Sequence, residues 1–329
     1  MKKRIAKSLC VISLMLAFTG NVFAASPGYV YPVGRVTGIC AEVDGVLVEE
    51  LREEDSPAAE AGIKKGDRIV SVNGRPVENC ENVRKLLSED EDGIIELSVC
   101  RGDKKVEISV QMNQNSELGV WLKDCIYGLG TITYYTDDGV FGALGHPITE
   151  GKIGLPLPVS GGTMMRAELT GIEKGQSGTP GQLRGSFSEN GVWGTLLTNS
   201  YAGIFGTREG EISEKPVEIC PKTLVHTGKA ELLSDVAGGE PKAYEVEITR
   251  IVDGGNCCGR EFSLTVTDPE LISLTGGIVQ GMSGSPLLQD GKMIGAVTHV
   301  LIDEPMKGYG IGIETMLREA EASMKANAA

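Results

Sequence analysis

Gly281-Met282-Ser283-Gly284-Ser285-Pro286 sets a serine between glycines on a tight turn. Such a turn exposes the serine Oγ and frees nearby backbone N–H groups to point at one spot. Acyl transfer needs that pairing of a nucleophile with a hole for an oxyanion. Leu287–Gln289 then reads as a short apolar strand, Asp290-Gly291 as a two-residue hairpin turn, and Lys292–Val300 as a second strand rich in β-branched residues. A serine hydroxyl at neutral pH needs a base, and imidazole has a suitable pKa. The chain has three histidines, His146, His226 and His299. His146 ends a strand in Gly145-His146-Pro147, ahead of a glycine-rich loop, where sites gather. His226 reads as an exposed loop residue and His299 as a strand residue that lines the cleft. A carboxylate must orient the imidazole. Asp235, Asp253 and Asp268 lie between His146 and Ser283, and residue physics alone does not choose among them. Asp268 ends a β-branched strand before Pro269, which would hold it rigidly. Gly175-Gln176-Ser177-Gly178-Thr179-Pro180 repeats the glycine–serine pattern, but loop continues through Gly181–Gly185 where Ser283 has a hairpin. Ser177 and Ser285 are therefore the weaker nucleophiles.

The elements that must position these residues are mostly strands. The 329 residues include 45 glycines, aromatics are 5%, and hydrophobic residues are 41%, which favours a turn-rich β protein with a sizeable core. Lys2, Lys3, Arg4 and Lys7 precede an apolar run, Leu9–Phe18, and then Val22-Phe23-Ala24. Residues 1–24 read as a secretory signal or, left uncleaved, an anchor. The formal net charge is −14 and becomes more negative once those four cations are set aside. Such a surface repels nucleic acid and anionic lipid. Removing Cys10 leaves seven cysteines, an odd set without framework spacing, which suggests a reducing or anaerobic setting. Cys257-Cys258 has neither CxxC spacing nor a nearby histidine and reads as two loop thiols; no metal or cofactor is expected.

The run Ser56-Pro57-Ala58-Ala59-Glu60-Ala61-Gly62-Ile63, followed by Lys65-Gly66-Asp67-Arg68-Ile69-Val70-Ser71-Val72-Asn73-Gly74, closely resembles bacterial PDZ domains. Residues 25–112 are read as that α+β domain. Such modules capture a peptide by strand addition and its carboxylate in a glycine loop. The expected edge is Ile39–Val43, the loop Val33–Gly38 with Gly34 and Gly38, and the other wall the helix bearing Val83 and Leu87. The loop departs from the usual G-L-G-F type.

From Gly281 to Gly295 the chain also resembles the trypsin-type pattern G-D-S-G-G-P with its following hairpin. The resemblance implies a double β-barrel serine peptidase domain over 113–329, with an oxyanion hole at the N–H groups of Gly281 and Ser283. It places Gly277 at the pocket floor and Thr298, His299 and Val300 on the strand that holds substrate, with the Thr298 hydroxyl near the catalytic Asp. Together, Gly142-Ala143-Leu144-Gly145-His146, Thr267-Asp268 fifteen residues ahead of Ser283, and Gly295-Ala296-Val297-Thr298-His299-Val300 resemble the stage IV sporulation protein B peptidases. That resemblance covers essentially the whole chain and implies a triad of His146, Asp268 and Ser283. It further implies an exported endopeptidase acting between the forespore membranes. Its substrates would be itself and a membrane-anchored regulator of an intramembrane protease that processes a pro-sigma factor. A secreted inhibitor would restrain it, and the PDZ domain would bind a peptide or another copy. The competing reading is a non-catalytic secreted PDZ scaffold on a dead peptidase fold.

Overall fold

The structure is a computed structural model that describes residues 28–53, 55–89, 93–112, 117–149, 155–252 and 259–327. The expected signal segment 1–24, Asp253 and Cys257-Cys258 lie outside the described residues.

The protein is two six-stranded barrels with a PDZ domain spliced into the first. Strand β1, Tyr29–Leu51, leaves the first barrel and enters the PDZ domain without a break. There follow helix α1 (Pro57–Glu60), β2 (Arg68–Val72), β3 (Arg75–Pro76), helix α2 (Cys80–Ser88), β4 (Ile94–Arg101) and β5 (Lys104–Gln111). Ser56 caps α1 and Pro57 opens it; Asn79 caps α2, taking the Asn82 N–H at 2.8 Å. Val83, Leu86 and Leu87 share one face of α2 and pack on Ile69, Ile95, Leu97 and Val99 in a closed apolar core.

Strand β6, Val120–Tyr135, begins in that core and returns along β1 into the first barrel. β7 (Val140–Ala143), β8 (Val159–Glu173), β9 (Gln182–Ser200) and β10 (Gly203–Arg208) complete it. The order β1-β6-β7-β10-β9-β8 closes because β8 pairs back onto β1. Ile39, Ile132, Leu144, Met164 and Ile204 fill its interior. A short strand, β11 (Val217–Glu218), pairs with the start of β1.

The second barrel is contiguous in sequence: β12 (Gly228–Ser234), β13 (Lys242–Ile251), β14 (Phe262–Val266), β15 (Pro286–Gln289), β16 (Lys292–Leu301) and β17 (Glu304–Gly312), closed in the order β12-β13-β14-β17-β16-β15. Between β14 and β15 lies helix α3, Pro269–Thr275, capped by Asp268 and ended by Gly276 at φ 75°. Helix α4, Ile313–Asn327, covers the barrels through Ile313, Met316 and Leu317. Among the described residues, no helix is long and apolar enough to cross a membrane.

This architecture agrees with the expected mostly-β fold but moves the domain boundary. Residues 29–43 were expected in the PDZ domain. They are instead a central strand of the first barrel, with Ile39 opposite Gly128 of β6 on one side and Met164 of β8 on the other. With both edges hydrogen-bonded, Ile39–Val43 offers no edge to a peptide. Gly34 lies against Leu233 of the second barrel, and a Cβ on Gly38 would meet the Phe187 ring at 2.4 Å. The expected glycine loop is thus barrel packing. The physical cause is the length of β1, which serves both domains.

Candidate active site

The nucleophile turn sits where the barrels meet, held from both sides. Between α3 and β15, Met282 donates its N–H to Val279 O and Ser285 to Met282 O, which curls the chain tightly around Ser283. The first barrel grips this turn through β6. Thr131 Oγ1 donates to Gly281 O at 2.8 Å, Thr133 Oγ1 to Gly284 O at 2.8 Å, and the Thr131 N–H to Ser283 O at 2.9 Å. Both threonines are fully buried. Sequence reasoning missed them, although a strand alternating Thr131, Ile132, Thr133 signals polar groups on one buried face. Gly284 permits the approach: at φ 97°, a Cβ there would stand 2.1 Å from Thr131 O.

Among the described residues, nothing accepts the Gly281 and Ser283 N–H groups, whereas the Met282, Gly284 and Ser285 N–H groups are all bonded. The two donors expected to form an oxyanion hole are therefore the two left over.

His146 reaches the site through a strained corner. Leu144 takes φ 67°, rare for a branched side chain, and Gly145 follows at φ 71°. The corner packs on Thr131 and Thr298. His146 Nδ1 lies 2.9 Å from Pro147 O. A carbonyl only accepts, so Nδ1 carries the proton and Nε2 keeps its lone pair. Burial pushes the His146 pKa below the ordinary imidazole value, partly offset by that carbonyl. The imidazole is therefore neutral, as a base must be.

His299 is the neighbour of His146, with ring centroids 5.0 Å apart and planes at 38°. Burial, with smaller contributions from the neighbouring His146 and Arg260, pushes its pKa down to about 4. Its Nδ1 is buried with no partner among the described residues. Ser283 Oγ donates to Thr298 O at 2.7 Å.

Several expected site residues stand elsewhere. Asp268 caps α3, and its carboxylate accepts the N–H groups of Glu270 (2.9 Å), Leu271 (3.1 Å) and Glu245 (3.2 Å). Burial opposes its charge, but these three donors outweigh it and hold its pKa below the ordinary carboxylate value. It has no bond to His146; the Pro147 carbonyl occupies the orienting role at Nδ1. Asp235 accepts the Val36 N–H at 3.0 Å, where it joins the barrels. The Thr298 hydroxyl donates to Gly259 O, not to an aspartate. Gly277 is no pocket floor: a Cβ there would lie 2.3 Å from Pro305 O, because the backbone of β17 fills the space. Val300 is half-buried and pairs with Gly308. His226 is exposed and bonds Asp290 at 2.9 Å, as a loop residue should. Ser177 is exposed, and its turn runs straight into β9.

The PDZ domain does have a groove, on another strand. Between Val120 and Leu129, β6 pairs with β1 on one edge only, and no strand among the described residues takes the other. That edge and α2 frame a groove of about 280 Å³ lined by Val83, Arg84 and Leu87 on one wall and by Leu118, Gly119 and Trp121 on the other. The glycine loop beside Val83 and Leu87 is Leu118-Gly119-Val120, a pattern of apolar, glycine, apolar that the sequence displays.

Paired barrels with a glycine-flanked serine and a neutral imidazole at their junction define a serine peptidase. The SpoIVB peptidase S55 family model matches residues 114–317, and a PDZ domain model matches 51–101. The chain belongs to the SpoIVB peptidase S55 family. Among curated proteins it is similar to the periplasmic serine endoprotease DegP of Salmonella typhimurium, 37% identical over 67 residues that span 20% of this chain and 14% of DegP. It is similar to the putative serine protease HhoA of Synechocystis, 34% identical over 77 residues that span 23% of this chain and 19% of HhoA. Among solved structures, Rv3671c of M. tuberculosis H37Rv, a Ser343Ala mutant in an inactive form, aligns over 61% of this chain and 82% of its own at 13% identity and a TM-score of 0.34.

Proposed function

We propose that the chain is an exported serine endopeptidase of sporulation signalling. It cleaves itself and a membrane-anchored regulatory protein in the space between the forespore membranes, and so releases intramembrane processing of a pro-sigma factor. A secreted inhibitor restrains it. The family assignment supports this reading, and one observation carries its chemistry. The Gly281 and Ser283 N–H groups lack acceptors among the described residues, beside a serine and a neutral His146. Ser283 Oγ attacks the scissile carbonyl carbon while His146 Nε2 takes its proton. The oxyanion rests on the two free N–H groups, His146 returns the proton to the leaving amine, and water then cleaves the acyl-enzyme. Substrate or a docking peptide adds as a strand to the open β6 edge beside α2.

A fluorophosphonate probe followed by peptide mapping tests the chemistry. The expected label is on Ser283, absent from Ser283→Ala and retained in Ser177→Ala. The hydrogen bond from Ser283 to Thr298 O favours a second reading, a non-catalytic PDZ scaffold. A well-folded chain that takes no label would establish that reading in place of the first.

A further inference from the structure

We propose that Cys40 and Cys125 are a redox-active pair whose disulfide staples the stem joining the PDZ domain to the first barrel. Their sulfurs lie 2.6 Å apart, far inside the contact distance of two unbonded sulfur atoms and close to a covalent S–S bond. Cys40 is on β1 and Cys125 on β6. The register opposes Cys40 to Tyr127 and Glu42 to Cys125, so the two cysteines are diagonal neighbours on one face of the strand pair. Both are partly exposed, and the flanking Tyr127 is 60% exposed, so an oxidant reaches them. The other described cysteines, Cys80, Cys100 and Cys220, form no such pair. An odd cysteine count therefore hides one geometrically matched couple.

The position gives the bond its consequence. The β1–β6 ladder slips between Glu42 and Leu47, where the barrel stops and the PDZ domain starts. Cys40 and Cys125 are on the barrel side of that slip. A covalent link there holds both strands in register at the point where the inserted domain could lever them apart.

The oxidant is a disulfide, either a small molecule or a thiol–disulfide oxidoreductase. One thiolate attacks a sulfur of that disulfide and expels a thiolate; the second cysteine sulfur then displaces the remaining half. The two cysteines together lose two protons and two electrons, and the oxidant's S–S bond becomes two thiols.

The test uses the full chain in a glutathione buffer set to oxidising or reducing ratios, then alkylation, digestion and mass spectrometry. At the oxidising ratio the peptides carrying Cys40 and Cys125 should appear linked and lighter by two hydrogens, while Cys80, Cys100 and Cys220 carry the alkyl group. Reduction should restore alkylation at both and speed hydrogen exchange in 39–43 and 123–127 by at least tenfold. The Cys125→Ser chain should show no redox-dependent exchange there. Full alkylation of Cys40 and Cys125 at the oxidising ratio, or linkage of either to a different cysteine, overturns the proposal. The mapping on the unaltered chain decides this even should Cys125→Ser fail to fold.

Discussion

The chain contains the same turn twice, Gly175–Pro180 and Gly281–Pro286, and the two are packed differently. Both place a serine between glycines. In the first, Ser177 is exposed and a Cβ on Gly178 would meet nothing within 4 Å. In the second, Ser283 is half-buried and a Cβ on Gly284 would drive into Thr131 O and the Leu144 N–H. In the first turn Gly178 serves a local bend, while Gly175 packs on Pro305. The glycines of the second let two barrels close on the turn, and two of its N–H groups have no acceptor among the described residues. Burial from a second element, more than the motif, sets the two turns apart.

Substitutions can break this contrast. Ser283→Ala should lower turnover by about four or more orders of magnitude, read as kcat on a cleaved protein substrate. Gly284→Ala should cost more than about 4 kcal/mol in urea denaturation, since backbone must move to admit a methyl group. Gly178→Ala, at a similar φ but in open space, should cost about 1–2 kcal/mol. Near-equal costs would erase the contrast.

Acid should unfold the buried site selectively. Unfolded His299 takes a proton near its ordinary value of 6.5, whereas the folded residue resists until about pH 4. Stability is thus full above pH 6.5, falls as the pH drops to about 4 and is level below. The total loss is roughly 3 kcal/mol, and His146 acts in the same direction. His299→Gln should reduce that slope in thermal melts recorded across the range, and a slope unchanged by it would refute the burial of His299.

Asp268→Ala separates cap from triad. The geometry predicts about 1 kcal/mol of lost stability and turnover reduced by less than about tenfold. A loss of about 10⁴ in kcat with stability intact would show that the working enzyme brings Asp268 to His146. The smallest effect should be Ser177→Ala, with kcat within about twofold of the parent.

The sequence made the turn around Ser283, the strand end before His146 and the PDZ helix legible as elements because each depends on local patterns: a glycine turn, a strand end, a capped amphipathic stretch. Asp268 misled because Thr-Asp-Pro is also a helix-capping signal, and the local role prevailed. Ile39–Val43 misled because its alternation suits either an edge strand or a central one; only the partners β6 and β8 distinguish them. Thr131 and Thr133 act on a turn some 150 residues away, a separation that no spacing rule spans. Gly277 reads as an empty pocket in one dimension and is filled by β17 in three.

The splice of the PDZ domain into the first barrel bears on how the molecule comes together. β1 and β6 meet across an interval that would be a long, entropically costly loop were it unstructured. The PDZ segments pair mostly with near neighbours in sequence, β4 with β5 and β2 with β3 and β4. Such local contacts form quickly. Once folded, that domain delivers Leu47 and Lys123 already side by side, and the barrel begins to zip from there as if from a hairpin turn. A folded PDZ domain thereby shortens the loop that must close for β1 to meet β6.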